Sequence, residues 1–142
     1  MVQCIMARHD PKNLSPTIED IERLANEAFA TIPEELRKHV ANVVFSVEDF
    51  PDAETERQMG LESPFDLLGL YRGIALPHHS TGLVRQGNDM IFLYRRPLLD
   101  YWCESGQSLF DIVRHVLVHE IGHHFGFSDA DMHRIEAETE GD

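Results

Sequence analysis

Two stretches of this chain repeat apolar residues every three or four positions. The first is Ile18, Ile21, Leu24, Ala25, Ala28, Phe29 and Ile32; the second is Leu109, Ile112, Val113, Val116 and Leu117. That period turns one stripe of a helix toward a core. Ser15-Pro16 places an N-cap and a first-position proline before the first stripe, and a short helical turn is expected over Glu34 to His39. Ser108 caps the second stripe, with Asp111 at the third helical position in place of the usual glutamate. Gly126 stands where a left-handed residue would end it, so the spacing predicts a helix from Ser108 to Phe125. A last helix is expected from Asp129 or Asp131 to Glu140. Val43–Val47, rich in β-branched residues, reads as a strand, as do Leu70–Leu76 and Met90–Tyr94. Residues 51–66 are polar with prolines near both ends and read as a long surface loop, and Pro77–Asp89 reads as another. The order helix, strand, loop, strands, helix predicts an α+β fold.

Composition adds bounds to this outline. With 142 residues and 42% hydrophobic content, the chain has the size and apolar fraction of one globular domain, expected over 1–142. No repeat or linker divides it, and no apolar run is long enough to span a membrane. The first ten residues turn polar too soon for a secretory signal. Cys4 and Cys103 are then expected as free thiols in a reducing cytoplasm. Net charge is 12 − 25 = −13, which disfavours nucleic acid and anionic lipid as partners. The acidic C-terminal end reads as a solvated, fraying segment.

The second helical stretch carries the chemistry. In His119-Glu120-Ile121-Gly122-His123 the two histidines stand four apart, one turn on a single helix face, where both imidazoles can reach one metal ion. Glu120 points about 100° away, beside the ion rather than on it, where it can take a proton from water. A catalytic zinc usually has three protein ligands. Asp129 can return under the ion if the chain turns at Gly126; Glu136 can reach it from the following helix; His124 and His133 are the other candidates. As an alternative to ligation, Asp129 can cap the last helix, with Ser128 beside it.

The run His119 to Asp129 resembles the small bacterial zincin-like metallopeptidase family, whose pattern is His-Glu-x-x-His-x-x-Gly-x-x-Asp. Leu68-Gly69-Leu70-Tyr71-Arg72-Gly73-Ile74-Ala75-Leu76 is similar to that family's "GLYxGxPL" segment, with Ala75 where proline is expected. Ile91-Phe92-Leu93-Tyr94-Arg95-Arg96-Pro97-Leu98 is similar to its "IxLYRxPL" strand. The likeness spans most of residues 17–130. It implies a minimal zincin-like fold: a small mixed sheet packed on an N-terminal backing helix and on the motif helix. It also implies one zinc ion held by His119, His123 and Asp129, with Glu120 as general base in hydrolysis of peptide bonds. By the same resemblance, the strand before the motif pairs with an extended peptide or protein substrate, which makes Tyr71, Arg72, Gly73 and Ile74 the substrate-binding candidates. His78 and His79 read as an exposed loop pair. Met132 follows Asp129 too closely to form the Met-turn of the larger metzincins. The little chain after the ligands, 142 − 129 = 13 residues, predicts a wide, shallow cleft.

Other readings start from the same residues. The metal site can serve a catalytically inactive or regulatory module. A metal-dependent ribonuclease family carries His-x3-His-x5-His, but lacks the glutamate and has histidine where Asp129 stands. A structural zinc would call for four ligands rich in cysteine, and neither cysteine adjoins the motif.

Overall fold

The computed structural model describes residues 14–40, 42–73 and 89–140, with the side chains of 138–140 excepted. In chain order these form helix α1 (Ile18–Thr31), a short helix α2 (Glu34–Arg37), strand β1 (Val43–Glu48), helix α3 (Ala53–Met59), a 3-10 turn (Pro64–Asp66), strand β2 (Gly69–Arg72), strand β3 (Asp89–Tyr94), and helices α4 (Arg95–Ser105), α5 (Leu109–His124) and α6 (Asp129–Glu140).

The strands make a mixed sheet in the order β1-β3-β2. β1 runs parallel to β3 from Val43 opposite Asp89 to Glu48 opposite Tyr94. β2 runs antiparallel, from Gly69 opposite Leu93 to Arg72 opposite Met90. Central β3 alternates in burial: Ile91 and Leu93 are fully buried on one face, while Met90 and Phe92 are half-buried on the other. Helix α1 packs on α5 and β1, and α5 packs on β2, giving the α+β arrangement of backing helix, small sheet and motif helix. α5 buries Leu109, Ile112, Val113, Val116, Leu117, Val118 and Ile121. At roughly 1.5–3 kcal/mol for each large aliphatic side chain, packing rather than its histidines decides where α5 lies. What the core leaves uncovered is the stripe His115, His119, His123.

Several boundaries differ from those expected. Thr17, not Ser15, caps α1: its hydroxyl accepts from the Asp20 N–H while the Asp20 carboxylate accepts from the Thr17 N–H. The stretch 51–66 is not a loop throughout. α3 forms on the strength of its ends, with Asp52 accepting from the Thr55 N–H at 2.7 Å and Gly60 taking φ 65° at the C-terminal turn. The strand expected over Met90–Tyr94 does end at Tyr94, but the helix α4 that begins at Arg95 was not expected. Pro97 then falls in a first turn, where its missing N–H costs no hydrogen bond. Ser108 accepts from the Asp111 N–H at 3.0 Å, as expected. Cys103, on α4, is disulfide-bonded rather than free; Cys4 lies outside the described residues, as do Ile74 to Leu76 of the expected strand, the loop over 77–88, and His78 and His79. Among the described residues no helix is long and apolar enough to cross a membrane.

Candidate metal centre

The motif occupies the last turns of α5. At its end the Phe127 N–H donates to the Gly122 carbonyl at 2.8 Å and the Gly126 N–H to that of His123 at 3.3 Å, with Gly126 at φ 84°. Only a residue without a Cβ takes that left-handed conformation cheaply. The turn reverses the chain, so α6 returns alongside α5. Met132, fully buried on α6, sits so close to Gly122 that a Cβ there would lie 2.2 Å from its Sδ. Between the two motif histidines the helix therefore needs a glycine for close approach, and this contact fixes the spacing of α6 from α5.

Two carboxylates on α6 face the histidine stripe. Asp129 Oδ1 lies 3.4 Å from His123 Nε2. Glu136 lies between two rings, with Oε1 3.2 Å from His119 Nε2 and Oε2 2.9 Å from His115 Nδ1. The imidazoles of His119 and His123 are 5.8 Å apart, those of His115 and His119 4.1 Å. Exposure separates the carboxylates: the side chain of Asp129 is 89% exposed, that of Glu136 only 13%. Asp129 does not cap α6. Ser128 does, accepting from the Asp131 N–H at 3.0 Å, which leaves the Asp129 carboxylate available for the histidine. His124 turns the other way, its ring stacked 4.1 Å from that of Tyr71, and His133 is exposed.

Sequence reasoning did not single out His115. Its signal was a third histidine four residues before His119, and its carboxylate partner becomes visible only when α6 folds back. Among the described residues, His115, His119 and Glu136 are the group whose ligand atoms all lie within 4.8 Å of one another.

Glu120 leaves the stripe, as its helical angle requires, and its Oε1 accepts from the Tyr71 N–H at 3.3 Å. The register explains why that N–H is available. The Tyr94 N–H donates to the Leu68 carbonyl, so in the alternating antiparallel pattern residues 68, 70 and 72 bond to β3, while the groups of 69, 71 and 73 face outward. Helix and strand are also matched in pitch. Val116 sits over Gly69, where a Cβ would come within 2.7 Å of its Cγ1. Four helical residues advance about 6 Å and two strand residues about 6.8 Å, which brings Glu120 to Tyr71. Burial raises the Glu120 pKa, opposed by the bond from Tyr71 and by His123. Burial lowers that of His119, with His115 acting in the same direction.

The remaining substrate candidates are placed as follows. The Tyr71 side chain is buried and its hydroxyl donates to Asp89, while its N–H is held by Glu120. The Arg72 guanidinium lies 5.8 Å over the Phe92 ring. Gly73 faces His124, whose Nε2 would be 3.1 Å from a Cβ there.

A helix bearing two histidines one turn apart, an outlying half-buried glutamate and a returning carboxylate is the framework of a zinc peptidase site. A family model described as zincin-like metallopeptidase matches residues 40–139. The chain belongs to this family. The match covers the sheet, the motif helix and α6, so the elements that build the site are those the family defines. No curated protein matches the chain.

The donor set suits zinc, the ion the family implies. Imidazole nitrogens and carboxylate oxygens are its ordinary ligands. Two donors on one tetrahedral zinc, each about 2.0–2.1 Å from it, stand about 3.4 Å apart, close to the His119–Glu136 and His123–Asp129 spacings of 3.2 and 3.4 Å.

Proposed function

We propose that this chain is a zinc-dependent peptidase in which His119 and His123 hold the ion, Asp129 completes the protein ligands and Glu120 is the general base. The observation that carries this reading is the position of Glu120: next in sequence to a ligand, half-buried, and fixed on the outward N–H of the edge strand. Zinc held there supplies Lewis acidity and lowers the pKa of its water to about 7.

The chain's own groups do the rest. The bond from the Tyr71 N–H occupies Oε1 and leaves Oε2 to receive the proton of the attacking water and return it to the leaving amine. Burial makes that carboxylate a stronger base than an exposed one. Outward backbone groups of β2 other than the Tyr71 N–H, which Glu120 holds, align an extended peptide by strand pairing, which provides affinity without side-chain readout. With a net charge of −13, the surface favours cationic peptides over nucleic acid.

The test combines metal analysis of purified protein with cleavage of a peptide library by wild type and Glu120→Ala. Loss of cleavage with zinc retained supports the assignment. Zinc retained with identical turnover in both proteins sinks it, and zinc bound with no turnover in either leaves a metal-binding module.

A further inference from the structure

Resting on the reading of His119 and His123 as a ligand pair, we propose a second zinc position one turn earlier on α5. It is formed by His115, His119 and Glu136, and it shares His119 with the catalytic position, so the ion occupies one place or the other.

α5 presents imidazoles at 115, 119 and 123, four residues apart, and α6 presents carboxylates at 129 and 136 on the returning chain. The two rows meet as a ladder, with Asp129 on the rung of His123 and Glu136 on the rungs of His119 and His115. His119 is the only imidazole next to both others, 4.1 Å from one ring and 5.8 Å from the other. Its Nε2 can serve one ion at a time. The earlier position is also the better enclosed in carboxylate: Glu136 is 13% exposed and Asp129 89%. Two histidines and a glutamate are a complete set of protein ligands for zinc, and the three ligand atoms already lie within 4.8 Å of one another.

Moving one helical turn along α5 shifts an ion about 6 Å, away from the turn that carries Glu120 and His123. Zinc held by His115 and Glu136 is therefore parked: retained by the protein, yet without the base. Released from that position, it needs only to exchange His115 and Glu136 for His123 and Asp129 while His119 stays in place.

Zinc content, measured on tag-free protein after equilibration and desalting, tests this directly. Wild type should hold one zinc per chain. The double variant His123→Ala, Asp129→Ala removes the catalytic ligands from exposed positions and should still hold one. Adding His115→Ala to that background should weaken zinc binding at least tenfold in a chelator competition, and His119→Ala alone should weaken it comparably. A double variant that binds no zinc overturns the proposal, since the His115–Glu136 contact would then be only a hydrogen bond. Two zinc ions in wild type overturn the sharing of His119. Circular dichroism confirms that each variant is folded, and Glu136→Gln in the double-variant background gives an independent route to the same loss. None of these counts depends on turnover, so failure of the peptidase reading, seen with Glu120→Ala, is distinguishable from failure of the second position.

Discussion

Gly69→Ala tests the coupling between the sheet edge and the motif helix. The added methyl would lie 2.7 Å from Val116 Cγ1, 3.0 Å from the Phe92 carbonyl oxygen and 3.2 Å from Leu93 Cδ2. Carbon atoms rest at about 3.5–4.0 Å, so β2 and α5 must separate by roughly 1 Å. The carbonyl belongs to the central strand and cannot give way, and a valine on a helix has essentially one rotamer. Overpacking of this kind costs about 1–3 kcal/mol. Replacing a strand glycine by alanine returns about 0.5–1 kcal/mol through the unfolded chain. The expected net loss is therefore about 0–2.5 kcal/mol, read from urea denaturation. The same separation stretches the Tyr71–Glu120 bond from 3.3 Å past hydrogen-bond range. A displacement of about 1 Å at a reacting group costs on the order of 100-fold in rate, so peptide cleavage should fall by that factor with zinc retained. Val116→Ala makes room, and the double variant should recover both stability and turnover relative to the sum of the single changes, with a coupling of about 0.5–3 kcal/mol. Gly69→Ala more stable than wild type, or strictly additive with Val116→Ala, would refute the contact.

Three further outcomes follow from the structure. The raised pKa of Glu120 means the folded state holds that proton more tightly than the unfolded chain, so its contribution is full below the unfolded value and is lost as pH rises through the folded one. Metal-free Glu120→Gln should accordingly gain stability over wild type as pH climbs above about 4.5, and denaturation curves that differ equally at acid and neutral pH would contradict this. Ser128→Ala should destabilise by about 0.5–2 kcal/mol through loss of a cap, whereas Asp129→Ala should leave the thermal midpoint nearly unchanged and weaken zinc binding at the catalytic position; the reverse pattern would make Asp129 the cap. Arg114 is buried, its Nε donates to Thr31 Oγ1 at 2.9 Å, and its Nη2 has no hydrogen-bond partner among the described residues. Arg114→Met should be neutral or stabilising, since an unsatisfied buried donor costs about 1–3 kcal/mol, and a loss of more than 2 kcal/mol in urea titration would exclude that account.

What the amino-acid pattern disclosed and what it concealed follow a physical division. α1 and α5 were legible because each buries one stripe of Ile, Leu and Val, and Gly126 was legible because few residues tolerate its conformation. α3 was not. Its sequence, Ala53-Glu54-Thr55-Glu56-Arg57-Gln58-Met59, has no stripe to betray it, and it stands on the Asp52 cap and the turn at Gly60. α4 was hidden by Pro97, which reads as a breaker unless the helix is known to start two residues earlier. At the site, the angle between Glu120 and the histidines is a property of any helix and could be stated in advance. Glu136 was one of several candidates, and its pairing with His115 depends on the approach of α6 that Gly122 and Met132 allow. No spacing along the chain encodes that approach.

The matched pitch of α5 and β2 has a consequence for how this chain can change in length. One residue added between Val116 and Glu120 would swing the glutamate about 100° around the helix and carry it off the strand. One residue added between Gly69 and Tyr71 would turn the receiving N–H inward toward β3. Neither segment accommodates an insertion or deletion without taking Glu120 off the Tyr71 N–H. Among the described residues, the turn over 49–52 and the link between α4 and α5 stand outside both counts, and their length can drift without altering where Glu120 points.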